Sequence, residues 1–255
     1  MAYALFVLDW VRRLRRASRK LTLPSRDASD ARTNQQLNLS KLTPTDADFL
    51  AKFASVQLLA ADLLADLPLQ TPDEAASESI SALAANQKER LRPVLSAIAK
   101  SGKSFEDELE RFESEFEELA ERIEGRGFHE NLMAIYIVFG ILDDFYERLA
   151  SVQGSSLKSL VNKTLNDYPF GDYLKNLLQQ KLENDDELRD MLAMFGRSLV
   201  ADCLLHVLNT LEFSELEQKT EDPEFRRSAL RMIEPLTNQL ISKHSERMDQ
   251  LGMSA

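Results

Sequence analysis

Phe128–Leu149 reads FHENLMAIYIVFGILDDFYERL, and this stretch decides the fold. Phe128, Leu132, Ile135, Phe139, Leu142, Tyr146 and Leu149 recur at alternating steps of four and three, which is one continuous apolar stripe on a helix of about six turns. A second line carries Met133, Ile137, Ile141 and Asp144, with Glu130 seven residues before Ile137. A helix that is apolar around most of its girth belongs at the centre of a bundle. Glu130 and Asp144 lie on or beside an apolar line, where an acid is costly unless it is paired, hydrogen-bonded or bound to a metal.

The remaining sequence supplies partners of the same kind. Leu, Ala, Glu, Lys and Arg dominate, only 8 Gly and 8 Pro occur in 255 residues, and alternating β-branched patterns are scarce, so the expected fold is all-α. Helix one begins at the capping pattern Thr43-Pro44-Thr45-Asp46 and runs to Asp66, with Leu50, Phe53, Gln57, Ala61 and Leu64 on one stripe. Helix two covers Asp73–Lys100, with Ile80, Leu83, Gln87, Leu91, Val94 and Ile98 on its stripe and a kink expected at Pro93. Ser104–Glu124 carries ten acids against Arg111 and Arg122, and reads as a helix with one buried edge and a solvated charged face. Ser156–Leu182 forms the fourth bundle helix, kinked at Pro169. Two further helices follow, from Asn184-Asp185-Asp186 to Leu211 and from Glu221-Asp222-Pro223 to Leu251.

Charge divides the chain in two. Residues 1–37 hold eight Lys/Arg against three Asp, a net of +5; the whole chain is −11, so residues 38–255 hold −16. An acidic body repels phosphate backbones, which argues against a nucleic-acid partner. Tyr3, Val7, Trp10 and Leu14 share one helical face and the basic residues mostly take the other. Residues 1–20 therefore suit weak contact with a membrane surface or an unidentified protein partner, ahead of a polar linker at 24–41. Charge following the apolar run does not fit a signal peptide, and no uninterrupted apolar run reaches the roughly 18 residues that span a bilayer. The lone Cys203 fits a reducing, cytoplasmic setting. The boundaries expected are an N-terminal extension at 1–37 and one helical domain at 38–255.

One polar side chain interrupts the stripe on each of four successive long helices: Gln57, Gln87, Glu130 and Asp167. Carboxylate bundles place a Glu or Asp on each such helix, two of them continuing as acid-x-x-His, because two hard cations want charged oxygens and imidazoles. His129, His206 and His244 are the only histidines, and none has an acid three residues before it. Asp202 and His206 stand at i and i+4, a spacing that suits a hydrogen bond better than a ligand set.

Several motifs carry a family resemblance over Leu39–Gly252. They are Gly127-Phe128-His129-Glu130-Asn131-Leu132, leading to Tyr136 and Asp143-Asp144-Phe145-Tyr146; Phe195-Gly196-Arg197-Ser198-Leu199-Val200-Ala201-Asp202; and His244-Ser245-Glu246-Arg247-Met248 through Leu251-Gly252. They resemble the ferritin-like bacterial proteins related to the tRNA hydroxylase MiaE. The resemblance implies a ferritin-like four-helix bundle with an acidic crossover helix and two additional C-terminal helices. It also implies a di-iron site, used in that hydroxylase to hydroxylate the isopentenyl group of a methylthiolated tRNA adenosine. Carried over position by position, the first ligand is Gln57 instead of Glu. The second, Glu-x-x-His, is Gln87-Lys88-Glu89-Arg90. The third keeps Glu130, and the fourth reads Asp167-Tyr168-Pro169-Phe170. Two acids remain of four, both histidines are absent, and Arg90 brings a positive charge in place of an imidazole. The expectation is a bundle with vestigial metal residues Glu130 and Asp167, no cofactor, no catalytic residue, and a binding or scaffold role. The alternative is an oxygen-dependent di-iron hydroxylase acting on a modified tRNA adenosine or a related substrate.

Overall fold

The computed structural model describes residues 39, 42–102, 104–166, 170–183, 185–211 and 223–253, with backbone alone for 223–232. Residues 1–37, and with them the basic amphipathic extension, lie outside the described residues. Asp167, Pro169 and the Glu221-Asp222 helix start do too.

The chain is all-α. α1 is Asp46–Asp66, started by Thr45, whose hydroxyl accepts from the Asp48 N–H. A 3₁₀ turn, Leu67–Gln70, leads to α2, Glu74–Arg90, where the Asp73 carboxylate caps the Ala76 N–H. Pro93 breaks the expected second helix: α3, Arg92–Lys100, resumes after Leu91 with the proline in its first turn, where a missing N–H costs least. The acidic helix is also broken, into α4, Phe105–Glu110, and α5, Glu113–Ile123. α6, Phe128–Gln153, is the central helix, extending one turn beyond the expected end at Leu149. α7, Ser155–Asn166, and α8, Phe170–Leu182, replace the single fourth helix. α9 is Asp186–Thr210 and α10 is Pro223–Gln250. Pro235, which the sequence reading passed over, sits inside α10 and withdraws one helical N–H there.

α6 packs against α1, α5, α7, α8, α9 and α10, which explains why it is apolar on nearly every side. Leu132, Ile137, Phe139, Leu142, Phe145 and Leu149 are all essentially inaccessible. Phe49 and Phe53 of α1 close on Tyr146 with ring centroids 5.7 and 5.4 Å apart, an edge-on aromatic cluster holding α1 to α6. By length and composition alone α9 is long and apolar enough to cross a membrane, although Arg197 and Asp202 interrupt its apolar run, as the sequence reading expects of every segment. Here it lies against α6 with Leu192, Leu199, Cys203 and Val207 buried, although Met194 is 71% exposed.

Candidate functional site

The polar residues that interrupt the stripes meet in the bundle interior as a directed chain of hydrogen bonds. Gln57 and Gln87 are 2% and 3% exposed, on the facing surfaces of α1 and α2. Arg90 Nη1 donates to Gln87 Oε1 at 2.8 Å, Gln87 Nε2 donates to Gln57 Oε1 at 2.6 Å, and Gln57 Nε2 donates to Asp143 Oδ1 at 2.7 Å. The guanidinium also donates from Nε, at 2.7 Å, and from Nη2 to the Thr164 carbonyl of α7. A guanidinium only donates and a carboxylate only accepts, so the two ends fix the orientation of both amides. Arg90 and Asp143 thus form an ion pair relayed through two amides, and four helices contribute to it.

Asp143 takes the place in this centre that the sequence reading gave to Glu130. Thirteen residues of α6 separate the two, a rise of roughly 20 Å. Glu130 is instead at the start of α6, where its Oε2 accepts from the Arg126 N–H at 2.6 Å. A carboxylate in the first turn of a helix is satisfied by free amides and by the dipole, so it requires no buried partner. Asp167 lies outside the described residues, three positions beyond Thr164, which already supplies the fourth helix's contact. Asp143 falls four residues after the stripe residue Phe139, so the same periodicity turns it inward, whereas the second line of the helix points to its neighbour Asp144. Burial pushes the Asp143 carboxyl up to about 6, against the lowering effect of the Gln57 hydrogen bond and of Arg90.

Asp144 is paired. Its Oδ1 accepts from Lys243 and its Oδ2 from Arg247, both at 2.5 Å, which ties α6 to α10. Arg247 Nη2 also donates to the Gly140 carbonyl at 2.8 Å. Gly140 leaves the notch that seats this guanidinium: a Cβ added there would lie 2.5 Å from Arg247 Nε.

Asp143, Asp144, Arg90 and Arg247 border a cavity of ≈ 580 Å³, with the start of α8 and the last turns of α10 as its other walls. That volume suits a small molecule.

A second polar cluster was not anticipated. Lys52 of α1, 8% exposed, donates to Glu115 Oε2 at 2.8 Å and to the Asn209 carbonyl at 3.3 Å, and lies over the Phe112 ring. His206 Nδ1 is 3.5 Å from Glu115 Oε1, so the histidine faces α5 and not its own Asp202. Burial, then Lys52, hold His206 down to about 3, and it is neutral. Glu108, also buried, meets Arg111, which bridges to Asp48 at 2.8 Å. The acidic segment is therefore not only a solvated face: Glu108 and Glu115 turn inward as counter-ions for α1 and for Arg111.

The donor set of the interior decides its chemistry. Among the described residues, two amides, one guanidinium and one carboxylate bring no excess negative charge to balance a pair of iron ions, and Arg90 fills the space against Gln87 Oε1 with a cation. These residues do not fit a di-iron pair. Substituting Gln87→Leu removes an acceptor from Arg90 and a donor to Gln57 at nearly unchanged side-chain size. A loss of about 1–3 kcal/mol is expected in urea unfolding, and an unchanged midpoint would show that the network contributes nothing to stability.

No curated protein matches the chain significantly. The family model described as the ferritin-like domain of actinomycetes matches residues 41–209, and the chain belongs to that family.

Proposed function

We propose that this ferritin-like domain is a binding or scaffold protein that works without a di-iron cofactor. In this reading it is a relative of the MiaE-like proteins in which the amide–guanidinium relay has replaced the metal ligands. The observation that carries it is the placement of Arg90 on Gln87, with Gln57 and Asp143 completing the line. Among the described residues, one positive and one negative charge sit where a metal pair would require several carboxylates. Oxygen activation needs a redox metal or an organic cofactor, and the relay holds no imidazole or thiol, its one titrating group being the Asp143 carboxyl. The −16 body opposes a tRNA substrate, as set out above.

Iron content tests the reading directly. The purified chain, loaded anaerobically with ferrous iron and desalted, should retain well under one iron per chain and develop no ferric absorption in air. The triple variant Gln57→Glu, Gln87→Glu, Arg90→His restores a ligand set and should retain markedly more. Two irons per wild-type chain, lost on Asp143→Ala, would support the hydroxylase instead.

A further inference from the structure

α9 is apolar on two sides, and the bundle covers one of them. Leu192, Leu199, Cys203, His206 and Thr210 are buried against the body, yet only 44% of the window that gives α9 its membrane-like composition is buried. The remainder forms a regular outward line. Met191, Met194, Ser198, Ala201, Leu205 and Leu208 follow one another at steps of three, four, three, four and three, the spacing of a seam that receives a second helix. Met194 is 71% exposed and Met191 43%, Ser198 is exposed, and Ala201, Leu205 and Leu208 are partly exposed. Ser198 and Ala201 are small, so the middle of the line is shallow enough to take a large side chain. The surroundings are acidic. α5 and α9, which pack together, hold nine acids against three arginines, and of these acids Glu115 is matched by Lys52 of α1. On the other side α10 is close to neutral from Ile233 to Gln250, with three acids and two cations.

We propose that this seam is the docking site of the chain's own residues 3–16, laid along α9 as a helix. The segment carries the matching pattern: Tyr3, Val7, Trp10 and Leu14 share one face at steps of four, three and four, and residues 1–20 hold six cations against Asp9. Its apolar face covers the seam with Trp10 over the shallow middle, and its arginines meet the acids of α5 and α9. The lengths agree, since residues 3–14 span about 17 Å as a helix and the seam about 26 Å. The reach agrees as well. The chain enters the described body where α9 ends: the Pro44 carbonyl accepts from Gln153 Nε2, at the last residue of α6, at 2.8 Å, and Lys52 donates to the Asn209 carbonyl at 3.3 Å. Residues 17–38 extend to roughly 70 Å at most, against about 37 Å for the whole of α9. A tether of that order holds its segment near the surface at an effective concentration on the order of millimolar. A second copy of the seam would set the same acids against each other, and an anionic lipid surface would meet them with like charge. The inference stands apart from the metal-free reading, on which iron content decides and this surface does not.

Trp10 is the only tryptophan, so the intrinsic fluorescence of the full-length chain reports the docking directly. Its emission should be blue-shifted from that of free tryptophan and severalfold less quenched by acrylamide, at every protein concentration and without added lipid. Met194→Arg/Ser198→Arg places two cations at exposed seam positions, leaves the packed side of α9 untouched, and should return both emission and quenching to the values of free tryptophan. Val7→Asp alters the segment instead of the bundle and should do the same, which keeps the test decisive if the double variant does not fold. A fully exposed Trp10 in the wild-type chain overturns the proposal, and so does a shielded Trp10 that neither variant exposes. A blue shift that appears only with vesicles of equimolar phosphatidylglycerol and phosphatidylcholine overturns it in favour of a membrane contact. One that vanishes on dilution, as a dimer dissociates, overturns it in favour of a second copy.

Discussion

Acidification from pH 7 to pH 4 is expected to destabilise this fold by several kcal/mol, and two histidines are the cause. Burial holds His206 down to about 3 and His244 down to about 4, from an ordinary 6.5, with Lys52 and Arg247 adding to the effect. A depressed histidine means that the unfolded chain binds a proton before the folded chain does. Stability is therefore full above about 6.5 and falls as the pH drops toward the folded values. At about 1.4 kcal/mol per unit, each residue removes roughly 3–5 kcal/mol across that range. Asp143 works in the opposite direction. Its carboxyl is raised from 3.8 to about 6, so the folded state takes the proton first, and acid returns about 3 kcal/mol between those values. For these three groups, near pH 5 the balance is two protons favouring the unfolded chain against one favouring the folded chain, while the lowered His129 and the raised Asp202 act in opposite directions. The net slope is about 1.4 kcal/mol lost per pH unit. Urea midpoints at pH 7, 6, 5 and 4 check this. In His206→Gln/His244→Gln the dependence should reverse sign between pH 6 and pH 4. A wild-type midpoint that holds steady or rises on acidification contradicts the assignment.

Asp144→Ala should be the most damaging single substitution of a charged residue. Among the described residues it removes the carboxylate shared by Lys243 and Arg247, on a residue whose side chain is 12% exposed, and leaves mostly buried Arg247 with the Gly140 carbonyl. Breaking a buried pair from one side costs roughly 3–5 kcal/mol. Lys243→Gln, at a side chain 36% exposed, should cost no more than about 1 kcal/mol, because Arg247 still covers the acid. Chemical unfolding of the two variants compares them. Equal losses would mean that the pair acts as a surface interaction and does not fasten α10 to α6.

The all-α class, the central helix and the two amides were legible because they rest on periodicity. Gln57 and Gln87 occupy stripe positions, and a stripe position is buried wherever the helix is. Pro93 announced its break for an equally local reason. Glu130 misled because a stripe says which side of a helix faces inward, not which end of it is capped. At its position the nearby N–H of Arg126 outweighs any distant partner. Lys52 could not be read as buried, since its burial depends on Glu115 and Phe112 arriving from a helix more than sixty residues away. The same holds for the notch at Gly140, whose meaning comes from Arg247.

The family match ends at residue 209, whereas Lys243, Glu246, Arg247 and Gln250 of α10 form a wall of the cavity. The matched region therefore supplies one side of this cavity, and α10, beyond it, supplies the other. Such a division lets the lining of the cavity change through residues of one outer segment while the packed interior, with its fixed amide polarity, stays as it is. Relatives that share the bundle but carry a different closing helix would then differ in the lining of this cavity and not in how they fold.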